Sequence, residues 1–182
     1  MSLRRGFKSE AELTALEVRA ELNLLTTEPL DPRRLARHLD VLVIGLSELS
    51  SDAPLAAHYF SSDGRSQFSA ATVFEGTARV IVLNDTHSRA RQASSIAHEL
   101  SHAILRHMPT AALDERGCRL WDQTNEEEAD WLAGALLVPA PAAWKIAKNR
   151  LSLDRAAEDF GVSEQMMRFR MNVTGAAKAQ LR

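Results

Sequence analysis

The stretch Ile96-Ala97-His98-Glu99-Leu100-Ser101-His102-Ala103-Ile104 sets two histidines four positions apart, with a glutamate beside the first, in an apolar frame. An α-helix turns about 100° per residue, so His98 and His102 lie about 40° apart around the axis and about 6 Å apart along it. Both imidazoles leave the same face, one turn apart, as two corners of a tetrahedral zinc site require. Glu99 projects about 100° from His98, beside the metal position, where its carboxylate can take a proton from a zinc-bound water. The chain holds six histidines and 14 glutamates, and in random order these give about 0.015 such patterns, so chance is a poor explanation. The competing reading, two histidines on a solvated face with no metal, sits poorly with Ile96, Ala97, Leu100, Ala103 and Ile104 around them.

A hydrolytic zinc site takes three protein ligands and leaves one position open, so a third is expected downstream. The cluster Asn125-Glu126-Glu127-Glu128-Ala129-Asp130 is its source. Glu126, Ala129, Asp130 and Ala133 share one helical stripe, which directs Glu126 to the metal and lets Asp130 accept a hydrogen bond from a ligand histidine. Acidic residues are also favoured at a helix N-terminus for its dipole. Asn125 with Glu128 reads as a capping box, so Glu128 is assigned to capping, with the role of fallback ligand. Glu127 reads as solvated charge. His107 extrapolates to the far side of the histidine helix and is expected at the surface. His58, Tyr59 and His87 could stabilise an oxyanion but read as half-buried rings or turn residues. Cys118 reads as a structural thiol.

Outward from these helices the pattern is mixed. Ser9 and Glu12 form a capping box that predicts a helix from about Glu10 to Leu25. Asp31 before Pro32 starts a short helix through Leu39, followed by a strand at Val41 to Leu46. Ala56 to Asn84 reads as short strands broken at Asp63-Gly64 and Glu75-Gly76, forming a small antiparallel sheet, with Val80 to Leu83 the strongest strand signal. Ser88 opens the histidine helix, which runs to about His107. Ala129 to Val138 is apolar on nearly every side, as in a buried helix ended by Pro139. Pro141 begins a helix to about Asn149, and two short helices flank Gly161-Val162.

The 182 residues suffice for one ordinary domain with a small appendage. A formal charge of −2 supplies no positive field to recruit nucleic acid or an anionic membrane. A lone cysteine favours a reducing compartment, no secretory leader or bilayer-spanning run is legible, and the expected location is the cytoplasm.

Two segments resemble the ImmA/IrrE family of zinc metallopeptidases: the strand and helix from Ile81 to His107, and Glu126 to Pro139, where Glu-x-x-Ala-Asp leads into Leu-Leu-x-Pro. Leu30 to Val43 resembles the short helix and strand that precede the family's sheet. The resemblance implies one Zn²⁺ per chain held by His98, His102 and Glu126, Glu99 as catalytic base, and cleavage of a helix-turn-helix repressor that releases stress-response or mobile-element genes. Family members commonly carry Gly where Ser101 stands, and an aromatic where this chain has Ser94 and Ser95. The expected fold is α+β and zincin-like, with a metallopeptidase domain over 1–150 and a helix-turn-helix-like helical subdomain over 151–182. From Lys145 to Arg182 eight basic side chains face four acidic ones, yet the second helix keeps few basic residues, so packing and partner docking are expected there in place of DNA binding. Only about 30 residues precede the matching region, so the repressor is expected to be a separate chain. An extended substrate can pair with a strand such as Ala78 to Asn84. The alternative is a metal-stabilised binding module, antitoxin-like or repressor-sequestering, without turnover.

Overall fold

The Asp31 carboxylate accepts a hydrogen bond from the Arg33 amide at 2.9 Å and, with Pro32 in the first turn, starts a helix as its sequence predicts. The computed structural model in which this cap is seen describes residues 3–62, 64, 67–76, 78–107 and 122–180. In chain order its elements are α1 (Phe7–Glu21), α2 (Pro32–His38), β1 (Leu42–Gly45), α3 (Pro54–Ser61), β2 (Ala70–Glu75), β3 (Ala78–Leu83), α4 (Arg89–Ile104), α5 (Gln123–Leu137), α6 (Ala140–Lys148), α7 (Leu153–Phe160), α8 (Glu164–Val173) and α9 (Ala176–Gln180). The class is α+β.

Three expectations are corrected. α1 begins ahead of Ser9, with Gly6 in the left-handed region at φ 86 as its N-cap. Arg4 bonds both oxygens of Glu10 at 2.7 and 2.6 Å, and Phe7 is fully buried, so the chain is already anchored before Ser9. The segment read as strands from Ala56 begins instead inside α3, where Pro54 presets the φ of a first helical turn. The sheet is mixed and not antiparallel. Its order is β1-β3-β2, with β1 parallel to β3 (Val43 opposite Ile81) and β2 antiparallel to β3 (Thr72 opposite Ile81). The Glu75-Gly76 turn, with Gly76 at φ 60, folds β2 back on β3. The long connection through α3 returns the chain so that β1 and β3 run together, which a tight turn cannot do.

α4 and α5 are shared by two apolar cores. Ile96 and Leu100 of α4 and Leu132 and Leu136 of α5 join Phe7, Ala15, Leu35, Ile81 and Leu83 under the sheet and α1. Ala97, Ala133 and Leu137 face the other way, onto Ile146, Ala157, Met167 and Met171 of the C-terminal helices. α4 and α5 are thus clamped on both sides, which fixes any side chain between them. Ser101, standing where a glycine is common in the resembling family, is fully buried and donates its hydroxyl to the Ala97 carbonyl at 2.7 Å. The buried oxygen is satisfied within its own helix, so the close α4–α5 approach survives it. No helix among the described residues is long and apolar enough to cross a membrane.

Candidate metal centre

The turn that launches α4 is held by Asn84, fully buried after β3. Its amide nitrogen donates to the carbonyls of Phe60 (2.8 Å) and Phe68 (3.1 Å), and its oxygen accepts from the amide and hydroxyl of Thr86. The Ser88 side chain then caps α4. At the other end of this helix His98 and His102 share one face, their Nε2 atoms 3.0 Å apart.

α5 supplies the facing carboxylate. Its N-cap is Asp122, which accepts from the amides of Thr124 (2.9 Å) and Asn125 (3.2 Å). This places Glu126 opposite the histidine pair: Oε2 lies 3.2 Å from His98 Nε2, and Oε1 lies 3.7 Å from His102 Nε2. His98, His102 and Glu126 are the one group of three such donors among the described residues whose ligand atoms converge this closely. A tetrahedral zinc ion with bonds of about 2.0–2.2 Å separates its donors by about 3.3–3.6 Å, a range that the observed separations bracket. Two ring nitrogens this close can neither both carry protons nor both aim lone pairs at one another at no cost. One ring can donate to the other at this distance, but a shared cation takes both lone pairs and the Glu126 carboxylate at once, so the donor set fits a divalent metal.

Asp130, one turn beyond Glu126, accepts from His98 Nδ1 at 2.8 Å. That bond places a proton on Nδ1, so in the neutral ring the Nε2 lone pair faces the space shared with Glu126, where a metal would sit. Burial works against a charged His98, but the hydrogen bond and charge of Asp130, with the charges of Glu99 and Glu126, outweigh it and hold this imidazole above its ordinary range. At His102, burial, reinforced by His98 and His107, pushes the ring down to about 4. Glu99 reaches the sheet, where the Thr72 hydroxyl of β2 donates to Oε2 at 2.6 Å, and its charge still acts on His98. Thr72 carried no motif in the sequence. Its role follows from β2 lying beside α4.

The sequence model of the peptidase M78 family, the IrrE N-terminal-like domain, matches residues 36–172. The chain belongs to this family. No curated protein and no solved structure matches it at a significant level.

In this M78 domain two acidic-cluster and histidine assignments are revised. The N-cap is Asp122 and not Asn125, so Glu128 stands beyond the third helical position that its capping role requires. Glu128 is buried, with Arg4 Nε 2.9 Å from its Oε1 and His107 Nε2 3.6 Å from its Oε2. His107 is not a surface residue on the far side of the helix. α4 ends at Ile104, Arg106 takes the left-handed conformation at φ 56, and the His107 amide returns to the His102 carbonyl at 3.0 Å while that of Arg106 reaches Ala103. This Schellman closure swings His107 back under the site, Nδ1 to Nδ1 at 2.9 Å from His102. Glu127 accepts from Gln123 at 3.0 Å near the start of α5. The Tyr59 hydroxyl reaches Gln67 at 3.4 Å, the His58 carbonyl closes the end of α3, and His87 is buried in the turn before α4. These three are not brought into the donor group. Cys118 lies outside the described residues.

Proposed function

We propose that this M78 domain is a zinc-dependent endopeptidase that cleaves a protein substrate, a helix-turn-helix repressor on a separate chain, and thereby relieves repression in stress response or mobile-element control. The observation that carries the reading is the convergence of two imidazoles and one carboxylate at tetrahedral donor spacing, with Glu99 beside them on the same helix. His98, His102 and Glu126 hold the ion, and Asp130 orients His98. When bound, the ion supplies the Lewis acidity that polarises a peptide carbonyl and makes water nucleophilic near neutral pH. Glu99 accepts the proton of the attacking water and delivers it to the departing amine. Thr72 holds one oxygen of that carboxylate, which leaves the other for proton transfer.

β3 is paired on both sides, so it cannot be the docking strand that its sequence suggests. Among the described residues β2 is paired on one side only, and it carries exposed Val73 and Phe74 next to Thr72. An extended substrate segment adds there, beside Glu99, with main-chain hydrogen bonds setting its register. Of the two arginines of α8, Arg170 is fully buried, which leaves Arg168 exposed and supports partner docking over DNA reading by this element. The repressor as substrate, and the cytoplasm as location, rest on the family resemblance and on cysteine usage.

The test combines metal analysis with proteolysis. Protein purified without an affinity metal, and Glu99→Gln, His98→Ala and Glu126→Ala variants, are analysed by inductively coupled plasma mass spectrometry and incubated with a panel of purified helix-turn-helix repressors. Near one zinc per chain is expected in wild type and Glu99→Gln, and loss in the two ligand variants. Cleavage is expected only in wild type. A Glu99→Gln variant that retains the biological effect of wild type would replace the peptidase by a binding module, and a wild type that takes up no metal on reconstitution would remove the metal site.

A further inference from the structure

His102 is supported differently from His98. His98 hands its Nδ1 proton directly to the Asp130 carboxylate, whereas His102 Nδ1 meets a second imidazole, His107, at 2.9 Å. Two ring nitrogens can share a hydrogen bond only if one carries the proton and the other a lone pair. If His102 Nε2 is a metal donor, Nδ1 must carry the proton, and His107 Nδ1 must accept it. The His107 proton then sits on Nε2, which lies 3.6 Å from Glu128 Oε2. Glu128 is almost fully buried, and its other oxygen faces Arg4 Nε at 2.9 Å. Arg4 in turn is held by Glu10 in a two-point contact. The proton order is set at the metal end, while the outer part of the series is held by charge and contact: His107 Nε2 approaches Glu128 Oε2 at ion-pair distance, and Glu128 Oε1 faces Arg4 Nε without hydrogen-bond alignment. His107 cannot itself be a ligand in this arrangement, because it lies on the Nδ1 side of His102, away from Glu126.

From this geometry we infer that His107, Glu128 and Arg4 form an outer support that fixes the tautomer and orientation of His102, so that the segment ahead of α1 completes the metal site. The inference rests on the metallopeptidase reading. Arg4 lies outside residues 36–172, the part of the chain that the family model matches, so this link belongs to the chain's own N-terminal segment. His107 acts through His102 and is a positioning residue. Outer partners of ligand histidines typically contribute 10–100-fold to metal affinity.

The experiment measures zinc dissociation constants by competition with a fluorescent chelator, on full-length wild type, His107→Phe, His107→Asn and Arg4→Gln. Thermal melts of each metal-free protein are recorded alongside. Phe keeps the ring volume but offers no acceptor, and zinc affinity is expected to fall about 10–100-fold. Asn places an oxygen near the position of Nδ1 and is expected to recover most of that loss. Arg4→Gln is expected to weaken zinc severalfold and, because it leaves the buried Glu128 carboxylate without its cation, to lower metal-free melting as well, so its affinity is measured at a temperature where each variant is folded. A long-range ¹H–¹⁵N spectrum of the zinc-loaded protein should show His102 protonated at Nδ1 and His107 at Nε2. Wild type that binds no zinc refutes the metallopeptidase reading itself. Wild type that binds while His107→Phe binds equally well, or His107→Asn that falls as far as Phe, overturns the support. An unchanged affinity in Arg4→Gln overturns its extension to the N-terminal segment.

Discussion

Glu12 on α1 is the counter-charge for a buried guanidinium, and replacing it by Gln should expose how much the fold depends on it. Arg170 is fully buried, donates from Nε to the Val138 carbonyl at 2.8 Å just past α5, and pairs through Nη2 with Glu12 Oε1. The other Glu12 oxygen accepts the Ala140 amide at 2.9 Å, at the start of α6. Arg19, also fully buried, is pushed down to about 10 by burial, against the pull of the Glu12 charge. One carboxylate thus serves two buried cations. Gln has nearly the same shape and retains one acceptor oxygen, but it brings an NH₂ to a place where two donors converge, and it removes the charge. Breaking a buried ion pair by removing one partner costs about 3–5 kcal/mol. The Glu12 side chain is 24% exposed, which puts the expectation near the lower end, about 3 kcal/mol. For a chain of this size that is a fall in Tm of about 6–12 °C. Urea unfolding of the metal-free protein reads it directly. Adding Arg170→Met removes the stranded charge, at the cost of the Val138 carbonyl's partner, about 1–3 kcal/mol. The double variant should therefore be less destabilised than the sum of the singles by more than about 1 kcal/mol. A Glu12→Gln variant within about 1 kcal/mol of wild type, or strict additivity, would refute the assignment of Glu12 as counter-charge.

Thr72→Val removes the hydroxyl that holds Glu99 and keeps the side-chain shape. Hydrogen bonds to charged groups contribute about 1.5–3 kcal/mol, so kcat on a cleaved protein substrate should drop about 10–100-fold with KM little changed, and Thr72→Ser should recover most of it; equal losses in Val and Ser would assign Thr72 to packing alone. In the metal-free protein the two ligand histidines should titrate apart, which side-chain NMR can follow. His102, folded near 4 against about 6.5 unfolded, contributes stability above the unfolded value that is lost as pH falls toward 4. His98, held above its ordinary value, has the opposite sign: its contribution is present at acidic pH and lost as pH rises through its folded pKa. A His102 ring that protonates before His98 on acidification would contradict at least one of the two directions.

The parts of the site that lie on one helix were legible because a helix is periodic. The shared face of His98 and His102 follows from the turn angle of α4, and that of Glu126 and Asp130 from the turn angle of α5, whereas the meeting of the two faces is set by how α5 crosses α4. The N-cap of α5 is not legible locally, because Asn125 and Glu128 carry the spacing of a capping box, while Asp122, which caps it, stands at the end of a stretch without period. The place of His107 does not follow from the period of α4, because α4 ends at Ile104. A single left-handed residue, Arg106, reverses the chain there, and a non-glycine residue in that conformation gives little local warning. The antiparallel reading of the sheet gives way for a different reason. Local strand propensity does not say whether β1 meets β2 or β3, and the parallel pairing depends on where α3 returns the chain.

Thr72, Arg4 and the true role of Glu128 share one property: each acts on a residue distant in sequence, across a packing contact between elements. Glu128 shows why this matters for function. Read locally, it is an acidic residue in the first turns of a helix, favoured there by the dipole wherever the helix sits. Read in the fold, it is buried between a cation and an imidazole, where an unpaired carboxylate would be costly. The dipole favours a negative charge near this end of α5, but it cannot choose among Glu126, Glu127 and Glu128. The partners choose: His98 and His102 take Glu126, Gln123 meets Glu127 near the start of the helix, and Arg4 with His107 takes Glu128. Three adjacent glutamates of identical local chemistry are thereby divided into a candidate ligand, a polar contact at the helix start and an outer support, by the angle at which α5 crosses α4 and by the return of the N-terminal segment.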